Sequence, residues 1–204
     1  MSISDDIMKR VTDNGPGKWV FTPKDFFDIG SRPAVNQALA RLAKSGDLRR
    51  VNRGLYDLPA PNKDGDGYAP TDVNLVVDAI SRRDGVRVLP SPDLCANVLG
   101  LSIHLPDDIS YDTDGPSRVI RIGHHDIHFR HVSPKVMRWH GRISAHVAQA
   151  VIADGPKIKR NLFIPRQLNK ALDPIIRDDF LDHADDLPGW AHWIPQAMRD
   201  IAGV

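Results

Sequence analysis

Glutamate is absent from this chain: all 26 acidic side chains are aspartate, set against 27 lysines and arginines. Aspartate is the poorer former of helix interiors, so the substitution lowers intrinsic helix propensity throughout. Cysteine is nearly absent too. Cys95 stands alone, which excludes an intrachain disulfide and gives no indication of secretion. It sits in PDLCANVLG beside Leu94, Val98 and Leu99, the setting of a buried small hydrophobe rather than a nucleophile. No apolar run approaches membrane-spanning length, and no signal peptide precedes the first helix, so a cytoplasmic protein without a membrane partner is expected. The net charge is only +1 over 204 residues, so any nucleic-acid face has to be local.

The familiar catalytic signatures are missing as well. There is no GxSxG elbow, GxxxxGK phosphate loop, HExxH or C-x-x-C pair. Asp178-Asp179 and Asp185-Asp186 point different ways on a helix and read as charged surface. HHDIHFRH invites a zinc assignment and with it a metal-dependent enzyme. On a strand, however, His128 and Arg130 share one face, and Ile127, Phe129 and His131 share the other. His124 and His128 would then lie about 13 Å apart, too far to hold one ion. No enzyme activity, metal or cofactor is expected.

What is present concentrates between Thr22 and Leu58. TPKDFFDIG reads as a helix capped by Thr22, with Pro23 in its first turn and Gly30 ending it in a left-handed conformation. Ser31 caps a second helix in which Val35, Ala38, Leu39 and Leu42 recur at helical spacing. Arg32, Asn36, Gln37, Arg41 and Lys44 occupy the remaining faces, a set suited to base edges and phosphates. Leu48–Val51 and Leu55–Leu58 then read as two strands, with Gly54 supplying the positive φ of a tight hairpin. Arg49, Arg50 and Arg53 make that hairpin basic. Between Arg41 and Arg53 five cationic side chains face only Asp47. The pattern is a winged helix-turn-helix, and those eight polar and basic residues are its candidate contacts to double-stranded DNA.

Around this segment, Ser4 is expected to cap a first helix through Thr12, and Trp19-Val20-Phe21 to pair with the hairpin. PAPNKDGDGYAP, from Pro59 to Pro70, reads as a domain boundary. Residues 1–61 carry ten basic side chains against seven aspartates, while the remainder carries 17 against 19. Residues 68–204 are read as a mixed α/β domain with a helical C-terminal part, giving an α+β chain. Its pieces are a helix capped by Thr71, a strand from Val86 to Leu89, a helix from Pro92 to Leu99 and a turn at Pro106. Strands are expected at Ile109–Tyr111, Arg118–Ile122 and Asp126–His131, in a mostly antiparallel sheet. Helices follow near 140–153, 165–172, 174–182 and 190–201. Trp139, Phe163, Phe180, Trp190 and Trp193 enrich this last part in rings, as core or as interface.

Phe21-Thr22-Pro23, Asp25-Phe26, Gly30-Ser31-Arg32, Ala34-Val35, Ala38-Leu39, Arg41-Leu42, Leu48-Arg49-Arg50 and Arg53-Gly54-Leu55-Tyr56 together resemble a known pattern. It is that of the AbiEi-type antitoxins and the related DUF6088 proteins. Ala96-Asn97-Val98-Leu99-Gly100-Leu101 and the later Asp112-Thr113-Asp114-Gly115 are similar to the same group, with Asp112 in place of its usual Leu. The resemblance covers most of residues 18–131. It implies a type IV toxin–antitoxin, or abortive-infection, system. In such a system a winged domain represses its own operon at promoter repeats, and a C-terminal region counters a nucleotidyltransferase-like toxin. A plain winged-helix regulator without a toxin is the alternative.

Overall fold

A computed structural model describes residues 2–63, 65–104 and 108–203 of an α+β chain. The chain divides into two compact units, Met1–Val86 with Arg121–His125, and Arg87–Ile120 with Asp126–Val204.

In the first unit, α1 spans Ile3–Asn14. Ser2, not Ser4, is its cap: the Ser2 hydroxyl accepts from the Asp5 N–H, and the Asp5 carboxylate accepts from the Ser2 N–H at 2.8 Å. This is the reciprocal capping box with the shorter acid at its third position. Ile7 and Val11 bury one face of α1 against α2, which spans Arg32–Ser45. Strand β1, Val20–Phe21, pairs antiparallel with β3, Leu55–Asp57, and β3 pairs antiparallel with β2, Arg49–Asn52. Phe21, Phe26, Val35, Leu39 and Leu48 close the core between sheet and helices.

The helix expected from Thr22 to Gly30 is a single 3₁₀ turn, Pro23–Phe26. The Asp25 carboxylate folds back to accept from the Thr22 N–H at 2.7 Å and the Thr22 hydroxyl at 3.1 Å, which favours a tight turn over a propagating helix. Arg10 of α1 then forks onto Asp28 at 3.0 and 2.6 Å and donates to the Asp25 carbonyl, fastening the turns that follow. Gly30 is not left-handed. Its missing Cβ matters for space: a methyl there would meet Ile3 Cδ1 at 2.8 Å.

The Pro59–Pro70 stretch lies inside this unit, because α3, Val73–Asp84, packs against β1. Asp72 rather than Thr71 caps α3, its carboxylate accepting from the Asn74 N–H at 2.8 Å. Thr71 instead donates its hydroxyl to Asp57 at 3.0 Å. Asp57 is 1% exposed and also takes the Arg49 fork at 2.9 and 2.6 Å, while Arg49 reaches the Ala69 carbonyl at 2.7 Å. Farther along α3, Arg82 donates to the Val20 carbonyl at 2.8 Å and lies 3.5 Å from Asp25.

The second unit holds a four-stranded sheet of order β4-β5-β7-β6. Its strands are β4 Val88–Pro90, β5 Ile109–Thr113, β6 Arg118–Ile122 and β7 His125–His131. β4 and β5 are antiparallel, whereas β5 and β7 are parallel. Ser91 caps α4, Pro92–Val98. The turn expected at Pro106 lies outside the described residues. The helix expected near 140–153 is shorter, α5, Ala145–Ile152, and a 3₁₀ turn, Val136–Trp139, precedes it. Ser144 sets the start of α5, because its N–H and hydroxyl both donate to Asp179, at 3.2 and 2.5 Å. α6 is Phe163–Ala171, α7 is Pro174–Asp182 and α8 is Trp193–Ala202, the last preceded by a 3₁₀ turn at Gly189–Ala191. Trp139 and Phe180 are core rings 5.9 Å apart, Trp190 and Trp193 pack beside that core, and Phe163 is exposed.

Replacing Asp57 by Ala strands a half-buried guanidinium and a hydroxyl, and is expected to cost about 2–4 kcal/mol in urea denaturation. A chain ending at residue 61 loses Thr71, the Ala69 carbonyl and all of α3. It is expected to melt well below one ending at residue 86, as followed by circular dichroism.

Candidate nucleic-acid interface

A cleft of about 590 Å³ opens on the first unit between α2 and the β2–β3 hairpin. Arg32, Asn36 and Ala40 line it from one stripe of α2, spaced four residues apart and therefore stacked on one face. Arg50, Arg53, Gly54 and Tyr56 form the hairpin wall, and Pro23, Lys24, Phe27 and Arg83 complete the lining. Five of these side chains are cationic, and none of the described lining residues is acidic. Hairpin geometry explains how the arginines arrive there. Arg50 pairs across from Tyr56, and the register shifts between Arg50 and Asn52 before Gly54, at φ 71°, closes the turn. Arg53 is exposed at that tip.

The sequence-derived residues divide into three groups. Arg32, Asn36, Arg50 and Arg53 meet in the cleft. Gln37, Arg41 and Lys44 are exposed on the adjoining stripe of α2, outside the cleft lining. Arg49 belongs to neither. Its half-buried guanidinium is engaged by Asp57 and the Ala69 carbonyl, so it ties the sheet to the stretch before α3. Period-two alternation along β2 was the available signal, since adjacent strand residues cannot share a face.

Two cationic lining residues fall outside the sequence-derived set. Lys24 donates its Nζ to the Arg83 carbonyl, and the Arg83 side chain forks onto Asp84 at 2.8 and 3.1 Å. Lys24 directly follows the helix-opening Pro23 and was legible in principle. Arg83 comes from beyond the Pro59–Pro70 stretch, and only the packing of α3 brings it to the cleft.

Among the described residues no group of three or more His, Cys or Asp side chains is placed to hold a metal ion. Ile127 and Phe129 of β7 are buried, His128 is half-buried near Asp108 at 3.8 Å, and His131 is exposed with its Nδ1 3.0 Å from the Gly115 carbonyl. No helix among the described residues is long and apolar enough to cross a membrane. Cys95 is buried, and burial, reinforced by the Asp112 charge, pushes its thiol up to about 12. Asp112 itself is buried, accepting from Arg130 at 2.9 Å and from Gln149 at 3.1 Å. At pH 8 the Cys95 thiol therefore stays protonated. Iodoacetamide followed by mass spectrometry is expected to label it only after denaturation; ready labelling of the native chain would contradict the buried placement.

No curated protein and no solved structure matches the chain. One family model does, described as a family of unknown function (DUF6088), over residues 6–162, from α1 to the turn before α6. That span is well over half of the 204 residues, and the chain belongs to the DUF6088 family.

Proposed function

We propose that this chain is a sequence-specific, double-stranded-DNA-binding regulator whose residues from Thr22 to Leu58 act as a winged helix-turn-helix. In this reading α2 is the recognition helix and the β2–β3 hairpin is the wing. The observation that carries it is the carboxylate-free cleft, in which Arg32 and Asn36 of the helix face Arg50 and Arg53 of the hairpin. A near-neutral chain that gathers five cations into one concavity has the local charge a polyanion requires. The 14 residues of α2 make a rod about 21 Å long, suited to a major groove about 12 Å wide. Ser31 makes no side-chain cap to α2, so first-turn N–H groups remain for a phosphate oxygen.

The side-chain chemistry assigns roles within that pose. Asn36 and Gln37 suit adenine N6 and N7, and Arg32 and Arg41 suit guanine O6 and N7. Lys24, Lys44, Arg50 and Arg53 act on phosphate, with Arg53 able to enter a narrow minor groove. Arg49 takes no part. Autorepression at promoter repeats, and neutralisation of a nucleotidyltransferase-like toxin by the second unit, are proposed with it on the strength of the resemblance over residues 18–131. A regulator without a toxin shares the same DNA chemistry.

Fluorescence anisotropy on cognate and scrambled duplexes tests the DNA reading. Asn36→Ala is expected to cost about 1–3 kcal/mol on the cognate duplex and much less on the scrambled one. Arg53→Ala should weaken binding to both and lower the salt slope by about 1. A double Arg50→Ala, Arg53→Ala chain with unchanged affinity and salt dependence would remove the hairpin from the interface. For the antitoxin half, co-expression with the neighbouring gene product is scored by growth. Rescue by the full-length chain supports it, and a harmless neighbour leaves the plain regulator.

A further inference from the structure

Phe27 is a large apolar residue of the cleft that neither charge nor core packing explains. It is 40% exposed, while Phe26 beside it is fully buried and packs edge-on against Phe21 with ring centroids 5.4 Å apart. The core cluster of the first unit takes in Phe26 and Trp19 but leaves Phe27 out. Its ring lines the cleft with Pro23, Ala40 and Tyr56, an apolar strip among the cations Lys24, Arg32, Arg50 and Arg53. Ala40 continues the stripe of Arg32 and Asn36 on α2, so polar and apolar groups share one helix face.

A polyanion admitted by that rim has few apolar groups to offer the strip. In a duplex major groove the apolar group that differs between base pairs is the thymine 5-methyl, and side chains such as Phe and Ala are its usual partners. Asn36 in the same cleft is the complementary reader of adenine, the base opposite thymine. We infer that Phe27, assisted by Ala40, is a specificity residue that reads thymine methyl groups in the cognate duplex. The inference rests on the DNA-binding reading above and adds which base feature the cleft selects.

The test uses the full-length chain and a duplex that it recovers from a randomised pool. Each thymine in that duplex is replaced in turn by deoxyuridine, which keeps the base pair and deletes only the methyl. At one or two positions uracil is expected to weaken the parent chain about three- to fivefold, the worth of one methyl withdrawn from an apolar contact. Phe27→Ala should bind the thymine and uracil duplexes equally well. Phe27→Leu, which keeps an apolar side chain, should retain a preference for thymine and guards against a trivial loss of folding. The inference is overturned if no position responds to uracil. It is equally overturned if Phe27→Ala keeps the parent's thymine preference, or if the variant weakens both duplexes while their ratio is unchanged, which would reassign the ring to deoxyribose. Recovery of no preferred duplex by the parent chain would instead overturn the DNA-binding reading itself.

Discussion

The Asp57 carboxylate is the constraint on which the first unit depends. Being almost wholly buried, it requires compensation, and it obtains this from both donors of the Arg49 fork and from the Thr71 hydroxyl. Arg49 stands directly across from Asp57, so the ion pair and the strand register enforce each other. With Arg49 turned to that face, Arg50 must take the other, where it lines the cleft. Arg49 also grips the Ala69 carbonyl and Asp57 grips Thr71, so the stretch leading to α3 is tied to the sheet. A residue that reads as part of a basic footprint is thus the anchor that aims its neighbour.

The same ties explain why the Pro59–Pro70 stretch deceives as a boundary. Proline, glycine and charge mark a surface crossing equally well whether or not a new unit begins beyond it. What decides is long-range bonding, and Arg82 to the Val20 carbonyl spans a separation that local composition cannot reveal. Where periodicity was strong, the sequence was readable: α2, its Ser31 start, its buried stripe and the pairing of β1 with the hairpin all stand where the pattern puts them. Where side chains compete with the backbone, it was not. Asp25 folds Thr22–Phe26 into one 3₁₀ turn, and Asp179 reaches from α7 to fix the start of α5 at Ser144. The cleft was half legible in the same sense: the α2 and hairpin contributions followed from spacing, whereas Arg83 depends on tertiary packing.

The absence of glutamate acquires a physical pattern in the structure. Asp5, Asp72 and Asp173 accept from backbone N–H groups at helix starts, and Asp25 closes its own turn. A one-methylene carboxylate reaches these nearby donors readily, which is why Asp favours caps and turns. The longer reaches in the chain are made by arginine instead, as in Arg10 to Asp28, Arg49 to Asp57, Arg87 to Asp114 and Arg130 to Asp112. Short acids and long bases divide the polar architecture between them.

That division bears on the cleft. Asp25, Asp28, Asp57 and Asp84, aspartates of the segments around the cleft, are each committed to a backbone N–H or to an arginine, and none of them lines it. Arg32, Arg50 and Arg53 line a concavity of the first unit whose described lining residues include no carboxylate. Coulomb attraction alone would make such a surface bind any polyanion, with an affinity that falls steeply as salt rises. Discrimination needs groups whose interactions depend on the partner's identity, and the cleft supplies a stripe with an amide at Asn36 and apolar contacts at Ala40 and Phe27. On the DNA-binding reading proposed above, charge would set how tightly a duplex is held and this narrow stripe would set which duplex; the two properties reside on different side chains and are separable by mutation.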